Sequence, residues 1–321
     1  MHTLSTINNL GLLYKNLGQL QEAERMYERA LAGREKALGP DHMDTLTTVN
    51  NLGGLYINLG WLQEAERMYV RVLAGREKAL GPDHMDTLTT INNLGRLYID
   101  LGRLQEAERM YEWALAGREK ASGSDHMDTL TTANNLGLLY KNLGRLQEAE
   151  KMYERALAGY DKALGPDHIG TLTIVNNLGG LYSTLGRLQK AKRMYEQALA
   201  GREKALGPDH LDTLTTVNNL GGLYINLGQL QEAERMYERA LAGREKALGP
   251  DHIDALTTAN NLAGLYIDLG QPQEAERMYK QALAGRKKAS GPDYMDTVSV
   301  NYLYTEHKTV NARVKVEERY K

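Results

Sequence analysis

Asp44-Thr-Leu-Thr-Thr-Val-Asn-Asn-Leu-Gly-Gly-Leu-Tyr-Ile-Asn-Leu-Gly60, followed by Trp61-Leu-Gln-Glu-Ala-Glu-Arg-Met-Tyr-Val-Arg-Val-Leu-Ala-Gly-Arg-Glu-Lys-Ala-Leu-Gly-Pro82, is the stretch that decides the fold. In its first half Leu46, Val49, Leu52, Gly53, Tyr56 and Leu59 recur at three- and four-residue spacing, which makes one buried face of a helix. Asp44 is in place to cap that helix and Gly60 to stop it. The second half predicts a helix over 62–80, ended by Gly81-Pro82. Ala65, Gly75 and Ala79 fall on or near the stripe carrying Met68 and Tyr69, so the two helices are expected to approach closely. Helix A and helix B then form one antiparallel hairpin.

The hairpin is copied along the chain. Leu10, Leu52, Leu94, Leu136, Leu178, Leu220 and Leu262 each follow an Asn-Asn pair, and every step is 42 residues. Gly-x-x-Tyr follows in each copy except the last, which has Ala263 and Tyr266. A fixed period in the range of about 20–50 residues signals a solenoid whose units pack only on their neighbours. Such an array accounts for 321 residues without a single large core. Seven repeats are read over 1–293, the first truncated at its start, and a divergent capping helix over 294–321. In that tail Leu303, His307, Val310 and Val314 keep helical spacing among mixed charges.

Composition removes several function classes. Hydrophobic residues are 42% and charged residues 25%, as in globular domains. A net charge of −2 supplies no field to hold a phosphate backbone or an anionic bilayer, so neither nucleic acid nor membrane is an expected partner. Cys is absent, which removes disulfides, thiolate metal sites and cysteine nucleophiles. A basic segment followed by an apolar run is lacking at the start, and a cytoplasmic setting is expected.

Leu52-Gly53-x-x-Tyr56, then Ala65-x-x-x-Tyr69 and a small residue three further on (Ala30 in the first copy, Val72 in the second), resemble the tetratricopeptide pattern. That repeat is about 34 residues long, and here helix B is about two turns longer. The 42-residue form ending Arg-Glu-Lys-Ala-Leu-Gly-Pro-Asp-His resembles the repeats of kinesin light chains, and equally those of fungal nucleotide-binding receptor-like proteins. No heptad run with charged flanks and no Gly-x-x-x-x-Gly-Lys-Ser/Thr loop accompanies it. The chain also begins inside a helix A without the capping Asp, as expected of a piece of a longer protein. The resemblance implies an all-α, right-handed superhelical solenoid of antiparallel helix hairpins, working as a non-catalytic protein- or peptide-binding scaffold. The near-identical ends also suit self-stacking of arrays.

Residues able to do chemistry are present but scattered. His42, His84, His126, His168, His210 and His252 recur at the repeat period. Stacked helices lie about 8–10 Å apart, whereas ligands must reach about 2 Å from one ion, so a loop role near the helix A start is expected and no metal. Glu22, Glu24, Glu64 and Glu66 sit among Arg25, Glu28 and Arg29, as on a solvated, ion-paired helix face without shelter for acid–base work. No serine stands in Gly-x-Ser-x-Gly. No catalytic residue and no cofactor is expected. Trp61 and Trp113 replace polar residues of other copies and are candidate ligand anchors.

Comparison of the copies isolates one variable face. The first variable position reads Leu12, Gly54, Arg96, Leu138, Gly180, Gly222 and Gly264, and the second Lys15, Ile57, Ile99, Lys141, Ser183, Ile225 and Ile267. A third, four residues after the first, includes Asp100 and Asp268. These positions share a face of helix A with the Asn pairs, turned away from the Val49/Gly53/Tyr56 stripe. In tetratricopeptide arrays the corresponding face lines a concave groove. The resemblance thus implies a groove floored by Asn8, Asn9, Asn50, Asn51, Asn92, Asn93, Asn134, Asn135, Asn176, Asn177, Asn218, Asn219, Asn260 and Asn261. An amide offers two donors and an acceptor, which suits the backbone of an extended peptide. Leu12, Lys15, Arg96, Asp100 and Lys141 would then select among ligand side chains.

Overall fold

The computed structural model describes residues 2–290, and among them every regular element is an α-helix. The described residues fall into two compact units, divided after Gly201. The first unit holds α1 (His2–Asn16), α2 (Leu20–Leu38), α3 (Met43–Asn58), α4 (Leu62–Leu80), α5 (Met85–Asp100), α6 (Leu104–Ser122), α7 (Met127–Asn142), α8 (Leu146–Leu164) and α9 (Ile169–Thr184). Helix α10 (Leu188–Leu206) carries residues of both units. The second unit continues with α11 (Leu211–Asn226), α12 (Leu230–Leu248), α13 (Ile253–Asp268) and α14 (Pro272–Ser290). Each unit is a stack of helical hairpins in which consecutive helices pack on one another. The capping helix expected over 294–321 lies outside the described residues.

Helix B begins and ends where the sequence places it, at Leu62 and Leu80, with Gly81 at φ 90°. Gly60 reverses the chain at φ 77°, a left-handed conformation that side chains disfavour. The cap of helix A is corrected. His42, not Asp44, is the N-cap: its Nδ1 accepts a hydrogen bond from the Asp44 N–H at 3.1 Å, and Asp44 lies in the first turn. The carboxylate there still faces the positive end of the helix dipole.

Two close approaches fix each hairpin. A Cβ added at Gly53 would lie 3.2 Å from the Tyr69 ring, and one at Gly75 would lie 2.6 Å from Leu46 Cδ1. Both partner side chains are buried. Gly75 therefore makes room for the first leucine of its own hairpin's helix A. Ala79, expected near the packed stripe, is exposed. Helix A is also buried more widely than one stripe. Thr45, Thr48 and Leu55 are shut from solvent because α3 packs on the helix before it and the helix after it.

The junction between hairpins rests on a buried arginine. Arg34 Nη1 donates to the Asp44 carbonyl and to Thr48 Oγ1, both at 2.7 Å, and Nη2 donates to Ser5 Oγ at 3.2 Å, which ties α1, α2 and α3 together. Arg76 and Arg118 repeat the arrangement in the first unit, and Arg202 and Arg244 repeat it in the second. Between α8 and α9 three residues have changed in concert. Tyr160 replaces the arginine, Gly170 the aspartate and Ile174 the threonine. The Tyr160 hydroxyl shares a 2.7 Å hydrogen bond with Thr131, its ring fills the space of a Cβ at Gly170, and Ile174 is buried.

The last hairpin departs from the Gly–Tyr contact. Ala263 stands where earlier copies have Gly, and a Cβ at the equivalent Gly221 would lie 2.8 Å from the Tyr237 ring. Tyr279 is only half-buried there, and Met278 is buried instead.

Candidate peptide-binding face

The Asn residues of helix A do not all face open solvent. Asn51 Nδ2 donates to Asn8 Oδ1 at 3.3 Å, and Asn135 donates to Asn92, and Asn177 to Asn134, in the same way. In the second unit Asn261 donates to Asn218. In these instances the second amide of one copy reaches back to the first amide of the copy before and joins adjacent A helices. Asn50 is half-buried and its Oδ1 is sealed without a partner. Asn9 is exposed, whereas Asn93, Asn219 and Asn260 are half-buried and Asn176 is buried.

The variable positions have a clear geometry. A Cβ at Gly54 would lie 3.2 Å from Lys15 Nζ and 3.4 Å from the Tyr69 hydroxyl. At Gly180 the same point lies 2.9 Å from Lys141 Nζ and 3.2 Å from the Tyr195 hydroxyl. A lysine of one copy and a tyrosine of the next therefore converge on a glycine that leaves a niche between them. Neither ammonium has a hydrogen bond or ion pair among the described residues. Burial lowers the pKa of both Lys15 and Lys141, and pushes the Tyr69 hydroxyl up to about 12.

Where the variable residue is leucine, the niche is closed. Leu12 and Leu138 are exposed, and beneath the equivalent point the Tyr27 and Tyr153 hydroxyls are sealed without partners. Arg96 lies 3.7 Å from Asp100 in an i,i+4 ion pair, so two expected selectivity residues partly neutralise one another. From Leu12 to Gly180 the face alternates between apolar, cationic and ion-paired positions.

Each resolved His N-cap follows one pattern. His84 and His126, for example, accept from the N–H two residues on, at 3.2 and 3.3 Å. Trp113 packs against Leu88, Ile91 and Ala114, a structural position, whereas Trp61 is 46% exposed. Sequence reasoning missed Arg34 and its equivalents by reading charge as surface. The signal was available, since Tyr160 and Ile174 break two otherwise constant columns together.

Family models described as tetratricopeptide repeat match residues 2–78, 44–120, 128–204, 176–246 and 212–288, and a second such model matches 92–163. The chain belongs to the tetratricopeptide repeat family. Among solved structures, BtubC (BKLC) from P. vanneervenii is 26% identical, with 72% of this chain and 92% of that one covered and a TM-score of 0.60. Nearly identical tetratricopeptide-like repeats described as a kinesin light chain of Podosopora anserina are 30% identical, covering 64% of this chain and 98% of that one, with a TM-score of 0.54. A Rap protein complexed with competence and sporulation factor shares the fold at 15% identity, covering 88% and 74%, with a TM-score of 0.67. No curated protein matches the chain. No helix among the described residues is long and apolar enough to cross a membrane.

Proposed function

We propose that this tetratricopeptide array is a non-catalytic, cytoplasmic scaffold that takes an extended protein segment along the A-helix face. Acidic side chains of that segment would seat at Gly54 and Gly180. The observation that carries the reading is the pair of half-buried lysines, Lys15 and Lys141, each aimed at a glycine niche with no internal counter-charge. A desolvated, unpaired ammonium destabilises the fold that holds it, and a carboxylate arriving from a ligand offsets that cost. The remaining amide capacity of Asn9 and Asn93 suits a ligand backbone. The likeness to the Podosopora anserina repeats favours a cargo adaptor similar to kinesin light chains as the finer form of this reading. A Rap protein of the same fold is complexed with competence and sporulation factor.

Random-peptide display on the full chain tests it. Enriched peptides, synthesised and titrated calorimetrically, should contain Asp or Glu. They should bind about tenfold more weakly to Lys15→Met or Lys141→Met, the loss of about 1.4 kcal/mol expected for one charge-assisted contact. Enriched peptides indifferent to both substitutions would overturn the placement.

A further inference from the structure

Three consecutive hairpins of the first unit place an arginine over a tyrosine ring at the turn between helix A and helix B. The Arg103 guanidinium carbon is 4.4 Å from the Tyr98 ring centre, Arg145 is 4.2 Å from Tyr140, and Arg187 is 5.9 Å from Tyr182. Each guanidinium is also held by carboxylates. Arg103 bonds Glu66 of the preceding hairpin at 2.7 Å and Glu106 of its own at 3.0 Å, and Arg145 bonds Glu108 and Glu148 in the same way. One ring face and two carboxylates from neighbouring hairpins thus make a receptor for a planar cation.

One hairpin earlier the ring and both carboxylates recur, and an indole takes the place of the cation. Tyr56 holds the ring position, Glu24 and Glu64 hold the two carboxylate positions, and Trp61 stands where the arginine would be. The Trp61 and Tyr56 rings lie 5.4 Å apart at 37°, a tilted aromatic pair in which Trp61 is exposed and Tyr56 half-buried. No cation pairs with Glu24 or Glu28 among the described residues, and Glu64 reaches only Arg67, at 4.0 Å. Glu24 is not the solvated carboxylate of a plain surface helix: burial and then Glu28 raise its pKa. Tyr56 is raised by burial and by Glu24, Glu28 and Glu64, with no cation acting against them, whereas Arg103 opposes the shift at Tyr98.

We propose that Tyr56, Trp61, Glu24, Glu28 and Glu64 form a binding site for an arginine side chain on a basic segment of a partner protein. The chain's own copies identify the occupant. Arg103 and Arg145 show that a guanidinium satisfies this ring-and-carboxylate geometry, stacking flat while bonding both acids at once, which a compact ammonium does less well. Trp61 adds a second aromatic wall in place of the internal cation. The site lies at the hairpin turn and is independent of the lysine niches proposed above.

Hexa-arginine is the probe, measured on the full chain. With Trp113→Phe, the remaining tryptophan is Trp61, and its emission should shift saturably as hexa-arginine is added. Hexalysine should bind about tenfold more weakly. Trp61→Arg fills the site with an internal guanidinium, as in the following hairpins, and should weaken hexa-arginine about tenfold or more without lowering the melting temperature. Trp61→Gln, the residue type of Gln19, Gln229 and Gln271, removes the wall without adding charge, and Glu24→Gln removes one acid; each should weaken binding severalfold. Unchanged Trp61 emission, or equal hexa-arginine affinity in native, Trp61→Arg and Glu24→Gln chains, would overturn the proposal.

Discussion

Gly75→Ala tests the packing of the hairpin, because two physical effects of similar size oppose each other there. Replacing a mid-helix glycine by alanine ordinarily stabilises a helix by about 1 kcal/mol. Here the new Cβ would lie 2.6 Å and 2.9 Å from the two methyl carbons of Leu46, against an optimal carbon–carbon separation of about 3.5–4.0 Å. Leu46 is fully buried and cannot swing into solvent, so α3 and α4 must part or Leu46 must leave its rotamer. Overpacking of this kind costs about 1–3 kcal/mol, which outweighs the helical gain and predicts net destabilisation of up to about 2 kcal/mol. The sign should reverse once the obstacle is gone. Leu46→Ala alone loses about 2–5 kcal/mol, and in that background Gly75→Ala should recover about 1 kcal/mol, giving a coupling of about 1–3 kcal/mol. Urea unfolding of the four chains, followed by circular dichroism, measures the cycle. Stabilisation by Gly75→Ala in the native background, with no coupling to Leu46, would refute the clearance role.

Other outcomes follow from the same contacts. At the α8/α9 junction, Ile174→Thr alone should lower stability by about 1–3 kcal/mol, because the buried hydroxyl gains no arginine donor, while the triple change Tyr160→Arg, Gly170→Asp, Ile174→Thr should restore it. Burial raises the Tyr27, Tyr69 and Tyr237 hydroxyls from 10.0 to about 12, so the folded state favours the neutral form; that stabilisation is complete below pH 10 and is lost as pH rises to about 12. Helix content should therefore fall together with tyrosinate formation in this window, and ionisation of every tyrosine near pH 10 with helices intact would contradict the buried rings. Lys15→Met should raise the melting temperature at neutral pH, since burial lowers the Lys15 pKa and the charged form carries a cost relieved only as pH rises through that lowered value.

The repeat and its helices were legible because periodic apolar residues and glycine stops act locally. Helix B was placed at Leu62–Leu80 from its sequence alone. The cap was misread because His42 and Asp44 both accept hydrogen bonds, and which one caps depends on where the loop turns. Arg34 was hidden for a different reason. A long charged side chain at a helix surface looks the same in sequence whether it meets water or two neighbouring helices, and only the shared break at Tyr160 and Ile174 marks the contact. The variable face was found by comparing copies, but the lysine niches were not, since Lys15 and Gly54 lie on different helices and meet only when the hairpins stack. The Asn column carried two readings at once, and the bond from Asn51 to Asn8 shows its structural side.

The most direct test of the account is where a display-selected acidic peptide binds. Backbone and lysine side-chain NMR shifts of the full chain should move at Lys15, Gly54, Lys141 and Gly180, and the Lys15 and Lys141 pKa values should rise on binding as a carboxylate offsets their desolvation. Shifts confined to other faces, with both lysines untouched, would contradict it.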